Sequence, residues 1–270
     1  LIIVVASCLL PDAGKGVEFL LKPDFGKVDR NVFLNALGQS FYSMSIGMGC
    51  ICTYASYFSR QTNLFKSALQ ISVIDLLVAV LAGLMIFPAA FSVGISPDSG
   101  PSLIFITLPN VFNKAFAALP VLGWIISLLF YVLLSVAALT SLMSLHEVNT
   151  SFFYEELKID RKKGAWIVTI SCAVIGAFCS FSLGATDKLS WFGKTLFDWF
   201  DFITGQVFLP MAGLLTCLFL GWYVPKKILK DEFTNWGTLK GRLFGIYFFL
   251  IKFVCPILIL LVFLNQFEVL

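Results

Sequence analysis

The sequence predicts an all-α, polytopic membrane protein. Three bulk properties lead to this fold class: 59% of the 270 residues are hydrophobic, only 13% are charged, and the mean hydropathy is +0.90. A soluble domain carries about 25% charged residues, so this chain has too little charge to cover a surface that faces water. The apolar runs are continuous and do not alternate, which favours membrane-spanning helices over a membrane β-barrel.

Six stretches are long and apolar enough to cross a bilayer, which takes about 20 residues per helix. The apolar segment 1–9, which begins with Leu1, is interpreted as the end of a helix that starts upstream. Helices of the same protein that precede this sequence are therefore expected as partners of the chain. The predicted spans are 32–58, 67–93, 121–154, 164–185, 195–224 and 243–266.

Lys and Arg residues are unevenly distributed between the loops. The loops 59–66, 155–163 and 225–242 together carry eleven of them, and the alternate loops carry seven. Basic loops tend to stay in the cytoplasm, so the first set is predicted to be cytoplasmic. The expected location is the cell membrane (plasma membrane or bacterial inner membrane), where the multi-pass chain is surrounded by membrane lipid.

The loop 94–120 has Pro and Gly breaks around an apolar middle. An apolar loop between two spans is expected to fold back on the protein as an outer lid or a re-entrant hairpin. The alternative is an amphipathic helix that lies in the membrane interface.

The residues of this chain provide little support for the function of a soluble enzyme. The net charge of +3 gives no basic field for nucleic acid, so no nucleic-acid partner is expected. His146 is the only histidine and has no second histidine at HExxH spacing, which argues against a histidine-based metal centre. No nucleotide-binding glycine motif appears. The chain is expected to need no organic cofactor and not to be an enzyme.

Polar residues are concentrated at mid-depth in the span 32–58. The stretch 38–49 reads GQSFYSMSIGMG and combines glycines, serines and one glutamine. Glycine destabilises a helix, and serine competes for its backbone hydrogen bonds. A helix break at Ser45–Gly49 is therefore predicted, and such a break at bilayer depth calls for an ion, a ligand or protein neighbours. The alternative is a small-residue face that packs on another helix.

Two further sets of polar residues lie inside predicted spans. Thr140 and Ser141 can supply two hydroxyl oxygens to a hard cation such as Na⁺, and the Ala137 carbonyl can add a third; the alternative is hydrogen bonding of these hydroxyls to the preceding turn. Asp75 stands in an otherwise apolar run and needs a cation, a proton or a polar partner. Asp201 opens the span 195–224, where it is either functional or simply solvated.

The motifs that carry these residues resemble the neurotransmitter:sodium symporter family. GQSFYSMSIGMGCICTYASY is similar to the sixth helix of that family, ALTS at 138–141 to its eighth helix, and DLLVAVLAGLMIFP to the seventh helix of its bacterial branch. GVEFLLKPDFGKV resembles the outer loop before the sixth helix. The resemblance runs from the end of helix five to helix eleven. It implies an inverted-repeat transporter fold with a broken helix, whose N-terminal half-site lies outside this sequence.

The resemblance also implies sodium-coupled uptake of amino acids or related amines by alternating access, with two sodium sites. Roles are carried over position by position. Ser43 and Asp75 correspond to ligands of the first sodium ion, and Ala137, Thr140 and Ser141 to ligands of the second. The substrate pocket is implied for Tyr42, Ser45, Met48, Ser141 and Leu145; the outer gate for Gln39 and Asp201; and the inner gate for Tyr57 and Glu155.

Two positions depart from the animal members of the family. Asp75 takes the place of an asparagine that ligates sodium, and Ala79 takes the place of a serine that helps to hold chloride. A carboxylate there supplies the negative charge that chloride otherwise provides, so transport is expected to be chloride-independent. The apolar pocket residues suggest a hydrophobic or aromatic amino acid as the substrate. The alternatives are a membrane protein that binds amino acids without transporting them, a membrane-embedded enzyme with Asp75 and Tyr42 as its only candidate pair, and an ion channel.

Overall fold

The computed structural model describes residues 1–59, 62–92, 108–109, 112, 116–117, 119–184, 195–239 and 241–266. Every regular element in these ranges is helical, which confirms the predicted fold class. The helices in chain order are α1 (Ile2–Cys8), α2 (Ala13–Leu21), α3 (Arg30–Ser43), α4 (Cys50–Ser56), α5 (Leu64–Ser92), α6 (Pro120–Glu155), α7 (Arg161–Gly184), α8 (Leu196–Tyr223), α9 (Lys226–Phe233) and α10 (Phe244–Asn265).

Within the described residues, five helices are long and apolar enough to cross a membrane: α5, α6, α7, α8 and α10. Two of them begin three residues before the predicted spans because polar residues cap their first turns. Asn63 accepts the Lys66 backbone N–H at the start of α5, and the Asp160 carboxylate accepts the Lys162 backbone N–H at the start of α7. Hydropathy locates only the apolar part of a helix, whereas capping by a polar side chain determines the residue at which the helix begins.

The predicted span 32–58 is divided into two short helices, α3 and α4, which are separated by residues 44–49. It is thus the broken helix that the family resemblance implies. α3 begins at an N-cap, since the Asp29 carboxylate accepts the Val32 backbone N–H at 2.8 Å. Neither helix alone reaches the roughly 20 residues that a bilayer requires.

The chain forms two compact units. One consists of Leu1–Val28 and Gln70–Ser141, and the other of Asp29–Leu69 and Leu142–Leu270. In the first unit, α2 lies directly on α5: a Cβ atom at Gly16 would come 2.5 Å from the Pro88 nitrogen. Phe19 adds ring contacts to Phe87 and Phe91, with centroids 5.2 and 5.4 Å away.

Most of the predicted outer lid, 94–120, lies outside the described residues. Three of its apolar residues that are described, Leu108, Phe112 and Phe116, are buried in the core of the first unit. The Phe112 ring meets Phe130 of α6 edge-on, with centroids 5.5 Å apart. This part of the segment therefore packs against protein, and the function of the segment as a lid stays a prediction.

In the second unit, α8 packs on α10 and on α3. Gly213 of α8 makes this close approach possible, because a Cβ atom there would lie 3.3 Å from the Phe41 ring and 3.8 Å from Ile259. Both long helices contain π-helical turns. They occur at Phe202–Phe208 and Phe219–Tyr223 in α8, and at Leu250–Val254 in α10.

Candidate functional site

The interruption between α3 and α4 is a tight, irregular segment. Ser45, Gly47 and Gly49 all have positive φ angles, of 53°, 88° and 81°. Short turns replace the helical hydrogen bonds: the Ser45 N–H donates to the Tyr42 carbonyl and the Met48 N–H to the Ser45 carbonyl, at 3.1 and 3.3 Å. The segment coincides with the predicted break at Ser45–Gly49. A left-handed, non-glycine residue such as Ser45 costs about 1–2 kcal/mol, and strain of this kind is concentrated at functional sites.

Gly47 is fixed by its surroundings as well as by its φ angle. A Cβ atom on Gly47 would lie 2.5 Å from the Leu209 carbonyl oxygen. The broken segment therefore rests directly on the start of the second α-helical part of α8. Gly49 is also close to a neighbour, since its Cβ position lies 3.3 Å from a methyl group of Val148 in α6. The break is held between two helices of its own unit.

Four residues implied for the substrate pocket and one implied for the first sodium ion lie in the second unit, which contains this break, whereas Asp75 and Ser141 lie in the first unit. Ser43 is the last residue of α3, while Ser45 and Met48 lie in the irregular segment and are half-buried. Tyr42 is exposed on the last turn of α3, and Leu145 is exposed on α6. Nearby, Tyr54 of α4 donates a hydrogen bond to the Ser144 hydroxyl at 2.8 Å, which ties α4 to the turn of α6 that carries Leu145.

A cavity of about 370 Å³ opens between α3, α8 and α10. Three residues predicted for the outer side of the site, Gln39, Tyr42 and Asp201, line this single cavity. The structure thus brings together residues that are about 160 positions apart in the chain. The other lining residues are Leu34, Asn35, Gly38, Gly205, Gln206, Val262 and Asn265.

A π-helical turn shapes the α8 side of this cavity. It spans Phe202–Phe208 and follows Asp201 directly. In a π turn the backbone bonds residue i to residue i+5, so Asp201 and Gln206 lie nearly one above the other and both reach the cavity. In a regular α-helix, residues five positions apart would point in different directions. Asp198, one turn earlier, instead caps the helix with Thr195.

The residues implied for the second sodium ion lie in the first unit, on α6. The Thr140 hydroxyl donates to the Ala137 carbonyl oxygen at 2.8 Å, so the structure shows the hydrogen bond to the preceding turn that was the alternative interpretation. This bond also leaves two oxygen atoms next to each other, with the lone pairs of the Thr140 hydroxyl directed away from the donated proton. Ser141 follows on the same helix. Asp75, in the same unit, is half-buried on α5.

On the other side of the second unit, Tyr57 contacts an acid that differs from the predicted one. The Tyr57 hydroxyl donates to the Glu147 carboxylate at 2.9 Å and lies 3.1 Å from the Ser151 hydroxyl. Arg161 of α7 donates to the same carboxylate oxygen at 2.6 Å. Glu155, the residue implied for the inner gate, is exposed at the last position of α6. The structure therefore places a tyrosine–glutamate–arginine cluster a little more than two helical turns before Glu155.

His146 stands beside this cluster and joins α6 to α7. Its Nε2 atom lies 3.0 Å from the Thr169 hydroxyl and 3.2 Å from the Ala165 carbonyl. Its Nδ1 atom lies 3.2 Å from the Thr150 hydroxyl. All of these partners are neutral, so the only histidine of the chain acts here as a polar link between two helices.

Sequence reasoning missed several of these functional candidates. Glu147 and Arg161 were not assigned any role, although a carboxylate inside the predicted span 121–154 was a visible signal, since charged groups at bilayer depth need partners. Gln206 and Asn265 were missed for a different reason. They are single polar residues in apolar helices, and only the packing of α8 on α10 shows that they face the same cavity.

Comparisons with known proteins support the family resemblance. The model of the sodium:neurotransmitter symporter family matches residues 1–270. The uncharacterized sodium-dependent transporter YhdH of Bacillus subtilis is 36% identical over 266 residues, which are 98% of this chain and 58% of the relative. An uncharacterized sodium-dependent transporter of Haemophilus influenzae is 34% identical over 265 residues, covering 97% of this chain and 56% of its own length.

A solved structure is similar over nearly the whole chain. The crystal structure of MhsT in complex with L-phenylalanine matches with a TM-score of 0.85 and 35% sequence identity, covering 98% of this chain and 58% of that one. The chain thus spans a little more than half the length of the proteins that it matches.

Proposed function

This chain belongs to the sodium:neurotransmitter symporter family, and on that premise we propose that the protein carries an amino acid across the cell membrane together with sodium ions. The family and the five apolar helices make it a multi-pass membrane protein. The observation that carries the proposal is the broken helix with left-handed Ser45. An irregular backbone inside a membrane span has N–H and C=O groups that can bind the charged ends of a zwitterion.

Two sodium ions are part of the proposal. The first is assigned to Ser43 and Asp75, and the second to Ala137, Thr140 and Ser141, as the family resemblance implies. Hydroxyl, carbonyl and carboxylate oxygens are the donors that hard cations prefer. The 2.8 Å contact between the Thr140 hydroxyl and the Ala137 carbonyl supports the second assignment, because it holds two such oxygens side by side.

The proposed substrate is a hydrophobic or aromatic amino acid. The assigned pocket residues combine a small polar group with apolar surface: Tyr42, Ser45, Met48, Ser141 and Leu145. MhsT, which is 35% identical to this chain, was solved with L-phenylalanine, and this finding supports an aromatic substrate here. The helix break would contact the ammonium and carboxylate groups, and the apolar side chains would contact the ring.

Alternating access requires a gate on each side of the substrate. We assign the outer gate to Gln39 and Asp201, which line one cavity with Tyr42, and the inner gate to Tyr57 and Glu155. The hydrogen bonds of Tyr57 extend the inner gate to Glu147 and Arg161. A carboxylate shared by two donors from two other helices is a contact that can be broken and remade when helices move.

Uptake by the intact protein in liposomes tests this function. Radiolabelled L-phenylalanine is offered with an inward gradient of sodium, and in parallel with potassium on both sides. We expect accumulation only with sodium. Asp75→Ala is expected to abolish it, because the variant removes an assigned sodium ligand. Asp198→Asn serves as the matched control, since Asp198 caps α8 with Thr195, and it is expected to retain uptake.

Three results would contradict the proposal. Uptake at the same rate in potassium would exclude sodium coupling. Sodium-dependent binding without any flux would point to a non-transporting binding protein. Currents far above carrier turnover, in the absence of substrate, would point to a channel.

Chloride independence is a finer part of the proposal. Asp75 provides a fixed negative charge, and Ala79 lacks the hydroxyl that holds chloride in the animal members. Two unit charges at about 4 Å interact by about 4 kcal/mol at an effective dielectric constant of 20, which is enough to replace a bound anion. Sodium-driven uptake is expected to be unchanged when gluconate replaces chloride. Loss of uptake in gluconate would overturn this part and leave sodium coupling intact.

A further inference from the structure

α10 carries a lysine in the middle of an apolar sequence. Lys252 lies in the π-helical turn Leu250–Val254 and is half-buried. Its ammonium group is surrounded by aromatic rings, with the ring centres of Trp222, Phe253 and Phe248 at 4.6, 5.6 and 5.7 Å. Aromatic faces stabilise a cation, but they do not neutralise its charge.

A second ammonium group shares one of these rings. Lys226, the first residue of α9, lies 4.9 Å from the centre of Phe248. The two ammonium groups are therefore at most about 11 Å apart. Among the described residues, neither lysine forms an ion pair; the ion pairs there involve other basic residues. The two positive charges lie next to the same ring, and neither is paired with a carboxylate among the described residues. Such an arrangement is complementary to an anion from outside the protein.

The packing of the helices fixes Lys252 in this position. The π turn Phe219–Tyr223 of α8 lies against the π turn of α10. A Cβ atom on Gly221 would come 3.0 Å from the Lys252 Cα atom, and the Trp222 indole N–H donates to the Lys252 carbonyl at 3.3 Å. Both contacts come from α8 and fix the backbone of Lys252, so the position of the lysine is built into the fold.

The two ammonium groups lie near one end of the membrane-spanning helices. Lys226 follows the end of α8 by three residues. Lys252 is eight residues into α10, about 12 Å along its axis, and its ammonium group lies 5.7 Å from the ring centre of Phe248, which is four residues nearer the start of the helix. Trp222 and Tyr223 are 64% and 79% exposed, as aromatic residues at a membrane interface are. The segment 225–242 that joins the two helices belongs to the basic set of loops that is predicted to be cytoplasmic. A lysine side chain that leaves its helix at this depth can extend to the phospholipid headgroups.

We propose that Lys252 and Lys226, with the rings of Trp222 and Phe248, form a binding site for the phosphodiester headgroup of an anionic phospholipid in the cytoplasmic leaflet. The phosphodiester supplies the missing negative charge, and basic groups next to spanning helices bind such lipids. The rings of Trp222 and Phe253 next to the Lys252 ammonium are exposed, and they offer apolar surface to acyl chains. This placement favours a lipid over a soluble phosphate. The site is separate from the residues assigned to transport.

Quenching of Trp222 fluorescence by brominated lipid tests the site. The intact protein is reconstituted in phosphatidylcholine vesicles that contain, as a minor component, either brominated phosphatidylglycerol or brominated phosphatidylcholine. The signal of Trp222 is obtained by subtracting that of Trp222→Phe. We expect phosphatidylglycerol to quench about fivefold or more effectively, the preference that one lysine near an anionic lipid provides.

Four variants separate a specific site from a diffuse charge effect. Lys252→Met and Lys226→Met should each reduce the preference for phosphatidylglycerol about fivefold or more, whereas Lys252→Arg should keep it. Lys227→Met removes the same charge from the neighbouring position of α9 and is the matched control, which should keep most of the preference. Lys226 is exposed on a short helix, so its variant tests the site even if Lys252→Met does not fold.

Three outcomes would overturn the proposal. Equal quenching by the two brominated lipids would show that the site has no preference for an anion. An equal loss in Lys227→Met and Lys252→Met would show a diffuse field and no built site. Displacement of brominated phosphatidylglycerol by inorganic phosphate in the buffer would assign the site to a soluble phosphate compound.

Discussion

Two glycines of this chain show how much a single residue depends on its place in the fold. Gly47 has a φ angle of 88°, and a Cβ atom there would lie 2.5 Å from the Leu209 carbonyl oxygen. Gly176 lies inside α7 and has no atom within 4 Å of its Cβ position. The first glycine is required by backbone conformation and by contact with α8, and the second is required by neither.

Gly47→Ala is therefore expected to destabilise the protein. The left-handed conformation alone costs about 1–2 kcal/mol for alanine, and relief of the clash with Leu209 adds to that cost. At about 2–4 °C per kcal/mol for a chain of this size, the apparent Tm in detergent should fall by about 4–8 °C. Gly176→Ala is the matched control and should leave the Tm equal or higher, since alanine favours helix. A Gly47→Ala Tm equal to that of the unchanged protein would contradict the geometry of the break.

Glu147 is the second residue whose role follows from its contacts. Its carboxylate is 23% exposed and accepts hydrogen bonds from Tyr57 and from Arg161, which is 63% exposed. Hydrogen bonds to a charged group are worth about 1.5–3 kcal/mol when buried, and the exposure of Arg161 reduces that value through solvent screening.

Glu147→Gln is expected to lower the stability by about 1 kcal/mol, which corresponds to about 2–4 °C in Tm. Glutamine keeps the size of the side chain and one acceptor for Tyr57 but loses the charge that holds Arg161. Glu155→Gln removes the same charge from an exposed position on the same helix and should change the Tm little. The assignment of the inner cluster fails if Glu155→Gln is the more damaging of the two.

At the scale of elements, the broken helix α3–α4 is the feature that the local sequence explains best. Glycine and serine in the stretch 38–49 weaken the helix, and the structure leaves the helix at Ser43 and resumes it at Cys50. Ser45 is an exception to local preference, because a serine occupies a left-handed conformation that glycine would adopt more easily. Backbone stability alone therefore does not explain a serine at this position.

Ser45→Gly separates the stability of the break from its function. We expect the Tm to stay equal or to rise, since glycine removes about 1 kcal/mol of left-handed strain. We also expect weaker binding of the amino acid, because the assigned substrate contact is lost. Binding of L-phenylalanine in sodium, measured by isothermal titration calorimetry, checks the second expectation. If the variant binds as tightly as the unchanged protein, Ser45 is not a substrate residue.

The π-helical turns are elements that the sequence did not indicate. The stretch 202–208 is FITGQVF and the stretch 250–254 is LIKFV, and neither contains a residue that local propensity associates with a wider helix. Both turns lie at sites that are proposed above. One turn directs Asp201 and Gln206 into the outer cavity, and the other carries Lys252.

At the scale of the whole molecule, the proposed function links folding to two ligands. A ligand that binds the folded state stabilises it by RT ln(1 + [L]/Kd), or about 2.7 kcal/mol at a concentration of 100 Kd. In a symporter, substrate and sodium bind to the same conformational state of the protein. The gain in the free energy of unfolding that each ligand causes should therefore depend on whether the other ligand is bound.

Thermal unfolding of the intact protein with each of the twenty amino acids measures this dependence. We expect L-phenylalanine or another hydrophobic amino acid to raise the Tm in sodium chloride, and to have little effect in potassium chloride. Asp75→Ala should remove the sodium-dependent shift. A flat response in both salts, with protein that is folded by circular dichroism, would contradict the transporter assignment.

Composition and hydropathy were enough to predict the all-α membrane class, and they predicted five long helices whose ends agree with the structure to within three residues. The local preferences of glycine and serine predicted an interruption of the helix where the structure has residues 44–49. The family resemblance added the assigned roles from Gln39 to Asp201. Only the tertiary structure decided that Tyr57 bonds Glu147, that Asp201, Gln39 and Tyr42 share one cavity, and that Lys252 lies among aromatic rings beside Lys226. Apart from the rings of Phe248 and Phe253, these groups come from parts of the chain that lie from 26 to about 160 positions apart, and their geometry follows from how whole helices pack, which no local pattern encodes.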